Sequence, residues 1–206
     1  MNFDDICQQH LTWVICISSN SLSQPVFVIW LTDSTDQDQD KFVVNQQNKI
    51  IASEDYETLL EVTLKVKPTL PDPVNTLTWL NKVCEMDCSS TLFELEVLED
   101  SIQTRTFNKR TITEAINFIN LCGDFDEQTG DLEIRTLRNK PNIRQLWEYG
   151  YNEIIWKEIG SNEQDEPVRL PELRANSGQL SNEMQQLITA FLNRLDIAKV
   201  KAGNKR

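Results

Sequence analysis

No arginine precedes Arg105 in this chain of 206 residues, and His10 is the one histidine. A single imidazole removes the usual Ser/His/Asp and Cys/His constellations unless His10 itself is the base, and its place beside a strand-like segment points to a structural role. Glycine is scarce: the six residues at 123, 130, 150, 160, 178 and 203 form neither G-x-G-x-x-G nor a P-loop, so no nucleotide cofactor has a visible seat. The longest apolar runs, Trp13 to Ile17 and Val26 to Leu31, fall far short of the roughly 20 residues of a spanning helix, which predicts no membrane span. The opening Met-Asn-Phe-Asp-Asp is acidic where a secretory leader begins with positive charge, which speaks against export by that route.

Cysteine is present but unorganised. Cys7, Cys16, Cys84, Cys88 and Cys122 form an odd, irregular set, unlike a secreted disulfide scaffold, and predict reduced thiols in the cytoplasm. Cys84-x3-Cys88 with Cys7-x2-His10 lacks the paired C-x-x-C spacing of a zinc site. Asp124-x-Asp126-x-Gln128 opens like a calcium loop, yet Thr129 stands where glycine is needed and Arg135 where a bidentate glutamate is needed, so a solvated turn is expected there. The chain calls for no cofactor and no metal.

What the chain does have is negative charge, formally -12. Residues 1–100 hold 17 Asp/Glu against 5 Lys, whereas 101–206 balance 15 acids with 15 bases. Such a front half attracts a cationic partner and repels nucleic acid and anionic membrane. Asp33, Asp36, Asp38 and Asp40 fall within eight residues without a compensating cation among them. A second group is Glu54, Asp55, Glu57 and Glu61, and a third is Glu94, Glu96, Glu99 and Asp100. The first and third groups are the candidate partner-binding residues. Affinity also needs desolvated anchors, for which Trp147-Glu148-Tyr149-Gly150-Tyr151 and Trp156 are candidates. The basic run Arg135, Arg138, Lys140 and Arg144 is flanked by acids and reads as a mixed-charge approach to a helix rather than a nucleic-acid site.

Local patterns predict an α+β fold: a small N-terminal antiparallel sheet followed by a mostly helical C-terminal half. Residues 11–17 and 26–31 read as strands, and 42–44 and 50–51 as a hairpin about N-Q-Q-N. Helices are predicted from Ser53 to about Lys65 on a stripe of Leu59, Leu60 and Leu64, and over Val74, Leu77, Leu80 and Val83. A third is predicted from Thr111 to a stop at Gly123, a fourth from Asn142 to Gly160, and a last from Ser181 through Leu195. Residues 91–102 carry both strand alternation and helical spacing, with helix favoured, and 161–178 reads as a loop. One domain over 1–198 is expected, sheet-bearing over about 1–66 and helical over about 73–198, with a basic tail at 199–206.

The order F-V-I-W-L (27–31), an acidic loop, N-K-I-I-A-S (48–53), a Leu-rich helix and T-W-L (78–80) resembles small acidic immunity proteins of bacterial polymorphic-toxin and contact-dependent inhibition systems. I-N-F-I-N-L-C-G-D-F (116–125) and Q-L-W-E-Y-G-Y-N-E-I-I-W (145–156) resemble the helical tails of such chains. The resemblance implies a cytoplasmic binding protein that neutralises a cognate toxin without catalysis; the charge distribution makes that partner cationic and speaks against nucleic acid and membrane. It carries over no binding residue; the acidic positions come from charge alone. The alternatives are a carboxylate enzyme using a divalent metal and a scaffold or assembly subunit.

Overall fold

The computed structural model describes residues 2–66, 69–156, 173 and 175–199. The chain divides into two compact units, Met1–Glu94 with Leu192–Arg206, and Leu95–Phe191. The fold is α+β. The C-terminal segment returns to the N-terminal unit.

The first unit opens with a helix that the strand-oriented sequence patterns left unassigned: α1, Phe3–His10. Asn2 and Asp5 form a reciprocal capping box, and Phe3, Ile6, Cys7 and His10 are buried at helical spacing. Strands β1 (Thr12–Ser18) and β2 (Val26–Asp33) follow, antiparallel with Thr12 opposite Leu31 and Ile17 opposite Val26. Next come β3 (Gln39–Phe42) and β4 (Ile50–Ser53). Both line the same edge of β2: β3 pairs with Trp30 to Asp33 and β4 with Phe27 and Val28. The N-Q-Q-N turn forms, with Asn48 left-handed at φ 57° and the Asn45 N–H donating to Lys49 O at 2.8 Å. It closes an excursion from one interrupted edge strand, not a step in a meander.

Helix α2 (Tyr56–Lys65) is capped by Asp55, whose carboxylate accepts the Thr58 N–H at 2.7 Å. Ser53, the cap expected from sequence, lies in β4. Helix α3 (Pro73–Val83) starts after Asp72. Its buried face is Thr76, Trp79, Leu80 and Val83, leaving Val74 80% exposed, and Leu64 of α2 is likewise exposed. The three helices pack their apolar faces with Val14, Ile29, Leu31, Val43 and Ile51 of the sheet. His10 ends α1 inside a polar network. The Lys82 ammonium can only donate to Nε2 (2.9 Å), so the imidazole proton sits on Nδ1 and is donated to Asn75 Oδ1 at 2.6 Å. That is a structural role.

Two short strands complete the sheet from far along the chain. Strand β5 (Thr91–Glu94) runs parallel to β1, and β6 (Leu195–Ala198) runs parallel to β4, giving the order β5-β1-β2-β4-β6 with β3 also on β2. The sheet is therefore mixed, not antiparallel, and extends well past residue 66. Parallel pairing requires a long crossover, so such partners cannot be local in sequence.

The second unit is helical. Helix α4 (Leu95–Thr104) follows β5 directly, so the ambiguous stretch 91–102 is strand and then helix. Helix α5 (Lys109–Thr129) is capped by Asn108, with Thr111 as the reciprocal partner, and ends at Gly130, left-handed at φ 70°. It runs past Gly123, the stop expected from sequence. Helices α6 (Leu132–Arg138) and α7 (Pro141–Gly150) follow, and α7 continues into a π-helical turn, Tyr151–Ile155. Helix α8 (Ser177–Leu192) buries Met184, Leu187, Ile188 and Phe191 as predicted, while Leu195 belongs to β6. Gly160, most of 161–178 and the tail beyond Lys199 lie outside the described residues.

Candidate functional site

The first acidic group occupies the turn between β2 and β3. Asp33 is buried, its side chain only 5% exposed. Its carboxylate accepts the Thr35 N–H (2.9 Å), the Thr35 hydroxyl (2.6 Å) and Lys41 Nζ (2.8 Å). Burial works against its charge, but Lys41 and Thr35 outweigh it and hold the carboxyl below its usual range. Lys41 also reaches Asp36 at 2.5 Å, and the two carboxylates together raise its pKa against the effect of burial. The run thus has a compensating cation one residue past its end. Gln39 pairs with Asp33, so Lys41, two residues on, projects from the same face. Asp40 accepts the Thr32 hydroxyl at 2.7 Å, and Asp38, left-handed at φ 55°, is exposed at the tip. Asp33 is an internal strut of this turn, not a contact residue.

Glu54, Asp55 and Glu94 do not join this turn. Glu54 and Asp55 follow Ser53, which pairs with Phe27 at the far end of β2. Asp33 lies six residue steps along β2 from Phe27, about 20 Å. Glu94 pairs with Ser18, beyond Ile17 and Val26, so it too lies at the end of the sheet away from Asp33. Glu96, Glu99 and Asp100 stand on α4 of the second unit, where Glu99 is buried and Asp100 exposed. Glu94, Glu96 and Glu99 all have interaction partners. The first unit holds 15 acids against 10 bases and the second 17 against 10, so both are net negative.

Among the described residues no three His, Cys, Asp or Glu side chains are grouped to hold a metal ion. Burial pushes the Cys7 thiol up, Cys88 up to about 11, and Cys122 well above its usual value, so all three are protonated, weak nucleophiles at neutral pH. The Asp124 to Gln128 stretch, expected as a solvated turn, is helical. Asp126 is fully buried between the guanidiniums of Arg135 (2.9 Å) and Arg138 (3.2 Å), which accounts for two members of the basic run.

The anchors singled out in the sequence form the most developed surface feature. Gly150 lets α7 lie close on α5: a Cβ there would come within 2.0 Å of Ile116 Cδ1. From that seat the Trp147 indole N–H donates to Asn120 Oδ1 (2.9 Å), and Asn120 Nδ2 donates to Tyr151 Oη (3.0 Å). The rings of Trp147 and Tyr151 are 4.3 Å apart and those of Tyr151 and Trp156 6.3 Å apart, centre to centre. The π turn sets the last step, since the Trp156 N–H bonds to Tyr151 O, five residues back, and so carries Trp156 over Tyr151. Trp147 is 36% and Trp156 60% exposed. A half-open hollow of about 190 Å³ flanks Trp147, floored by Ile119 and lined by Arg138, Asn139, Arg144 and Glu148. Arg144 pairs with Glu148 one helical turn on, at 3.6 Å, both side chains more than half exposed. Sequence could name these aromatics but not the α5 residue Asn120 that fixes them.

No protein-family model and no curated protein matches this chain. Among solved structures it is similar to the SatS C-terminal domain, crystallised in complex with bromine, with a TM-score of 0.62, 15% identity, and coverage of 96% of this chain and 100% of that one. At that identity the likeness concerns the fold alone.

Proposed function

We propose that this chain is a non-enzymatic protein-binding inhibitor of the immunity type, acting in the cytoplasm on a cationic partner such as a cognate toxin. The observation that carries this reading is the Trp147–Tyr151–Trp156 row, in which Asn120 bonds both Trp147 and Tyr151 and the rings stand 4.3 and 6.3 Å apart in succession at the surface. Rigid, partly exposed aromatics are the residues that supply affinity at interfaces. Charge supplies the choice of partner. Each unit is net negative, and Asp36 and Asp38 present carboxylates at an exposed turn, which favours fast encounter with a cationic surface. The acid contribution is narrower than the sequence implies, since Asp33 is spent internally and Glu94 lies at the opposite end of the sheet.

The test is association of the full chain with its cationic partner, first sought as the product of a neighbouring toxin gene. Changing Asp36 and Asp38 to Asn is expected to slow association several-fold at low salt, with the difference fading above about 0.3 M salt. Association indifferent to both salt and these substitutions overturns the electrostatic part of the reading. Full activity of the toxin in the presence of excess chain overturns inhibition.

A further inference from the structure

We infer that the contact between α1 and α3 is an acid-sensitive latch, in which proton uptake by His10 expels the Lys82 ammonium and loosens the last turn of α1. The inference concerns the first unit and stands apart from the aromatic row and its partner. It rests on the hydrogen-bond roles around the chain's one imidazole. Asn75 Nδ2 donates to His10 O at 2.7 Å, which turns Asn75 Oδ1 toward the ring as an acceptor, 2.6 Å from Nδ1. On the other side Lys82 Nζ, which has no lone pair to offer, stands 2.9 Å from Nε2. Only a neutral ring with its proton on Nδ1 satisfies both partners. Lys82 also donates to Gln9 Oε1 at 3.2 Å, so one ammonium ties two residues of the last turn of α1 to α3.

A proton arriving from water has one place on that ring, Nε2, where it aims an N–H at the N–H of an ammonium. An accepted hydrogen bond then becomes two like charges with no acceptor between them. Among the described residues no carboxylate pairs with either His10 or Lys82 to offset this. The elements packed against α1 hold their charged groups elsewhere. At the cap of α3, Asp72 accepts from Ser34 Oγ (2.7 Å) and the Asn75 N–H (3.3 Å), and at the end of β2 Asp33 is held by Lys41. Strand β1 offers the Thr12 hydroxyl, which donates to His10 O, and α2 offers Tyr56, edge-on to Phe3 in the first turn of α1. On α1 itself Asp4 and Asp5 stand in that first turn, and Cys7 is a protonated thiol. His10 is 7% exposed and clamped by Asn75, whereas Lys82 lies at the surface, so the flexible lysine stem is what moves, keeping its own proton. Imidazole is the side chain that ordinarily changes charge between about pH 5 and 8, so the latch is closed at the alkaline end of that interval and open at the acid end.

Two measurements on the full chain test this. Nitrogen NMR of the single imidazole at pH 8 is expected to show the proton on Nδ1 and a bare Nε2; a ring protonated on Nε2 overturns the proposal. Hydrogen exchange, expressed as protection relative to the unstructured chain at each pH, then follows the latch itself. From pH 8 to pH 5 the amides of Cys7 to His10 are expected to lose about tenfold in protection, the loss of one charge-assisted bond, while those of β1 and β2 hold theirs. In Lys82→Met, which has no ammonium to expel, and in His10→Gln, which has no ring to charge, the same amides should change less than about twofold over that interval. Lys82 is at the surface, so its replacement leaves the core intact. Unchanged protection of α1 in the native chain down to pH 5 overturns the latch, and so does a loss in Lys82→Met equal to the native one.

Discussion

Replacing Lys41 with Gln tests whether the acidic turn is built around an internal ion pair. In the native turn Asp33 and Lys41 are shielded to 5% and 12% side-chain exposure and lie 2.8 Å apart. Removing the cation leaves a buried carboxylate with the two Thr35 hydrogen bonds as its remaining described partners. Breaking such a pair costs about 3–5 kcal/mol when nothing else compensates; with Thr35 still donating twice, about 3 kcal/mol is expected at pH 7. The pH dependence has a definite sign. The native Asp33 pKa is depressed, so its contribution is present above the unfolded carboxyl pKa and is lost as pH falls through the folded value. In the variant the lowering by Lys41 is lost while the two Thr35 bonds remain, so the Asp33 carboxyl titrates higher than in the native turn. The stability gap between native chain and variant should therefore narrow from pH 7 to about pH 4. Urea unfolding at the two pH values measures the gap, and exchange of the Thr35 amide reports the turn itself. A gap that stays constant with pH, or a second change of Asp33→Asn that fails to restore most of the loss, would show that the pair is not what holds the turn.

Two further outcomes probe the second unit and the thiols. Gly150→Ala drives a Cβ into Ile116 and is expected to destabilise the chain by about 1–2 kcal/mol, overpacking outweighing the gain in helix propensity; the fluorescence of Trp147 should shift as its bond to Asn120 is strained. Cys88, with its thiol pushed up to about 11, should alkylate with iodoacetamide at pH 7.5 about two orders of magnitude more slowly than glutathione, and a rate equal to glutathione would mean that the thiol is not shielded by the core around Tyr56 and Cys7.

How much was legible in the sequence follows from how local each signal is. Strands β1 and β2 are dense in β-branched and aromatic residues and were readable, as was the α8 stripe of Met184, Leu187, Ile188 and Phe191. Caps were found to within a few residues, because Ser53 and Thr111 sit beside the residues that do the capping, Asp55 and Asn108. Strands β5 and β6 were not legible as strands of this sheet. Each is four residues long, and each is fixed by a parallel neighbour in a distant part of the chain. Helix α1 was missed for another reason: its apolar positions include Cys7 and His10, which read as chemistry rather than as a buried stripe.

The leading feature of the sequence, an acidic front half, is a property of chain order that the topology undoes. Pairing β6 with β4 returns a stretch containing Arg194 and Lys199 to the unit that holds residues 1–94, while Glu96, Glu99 and Asp100 pass to the other. Within the first unit, carboxylates adjacent in sequence then diverge in use: Asp33 ties Lys41 to the turn, Asp36 shares that lysine, Asp40 takes a hydroxyl, and Asp38 stays at the tip. A long-range negative field survives this redistribution because it depends on net charge, whereas a local acidic patch does not, because it depends on which side chains reach solvent on one face. The aromatic candidates behave in the opposite way. Trp147, Tyr151 and Trp156 are close in sequence and belong to one continuous helical segment, so their proximity needs no long-range pairing to realise it. The π turn and Asn120 then convert proximity into a fixed row. For that reason the aromatic face carries the binding hypothesis further than the acids that first drew attention to it.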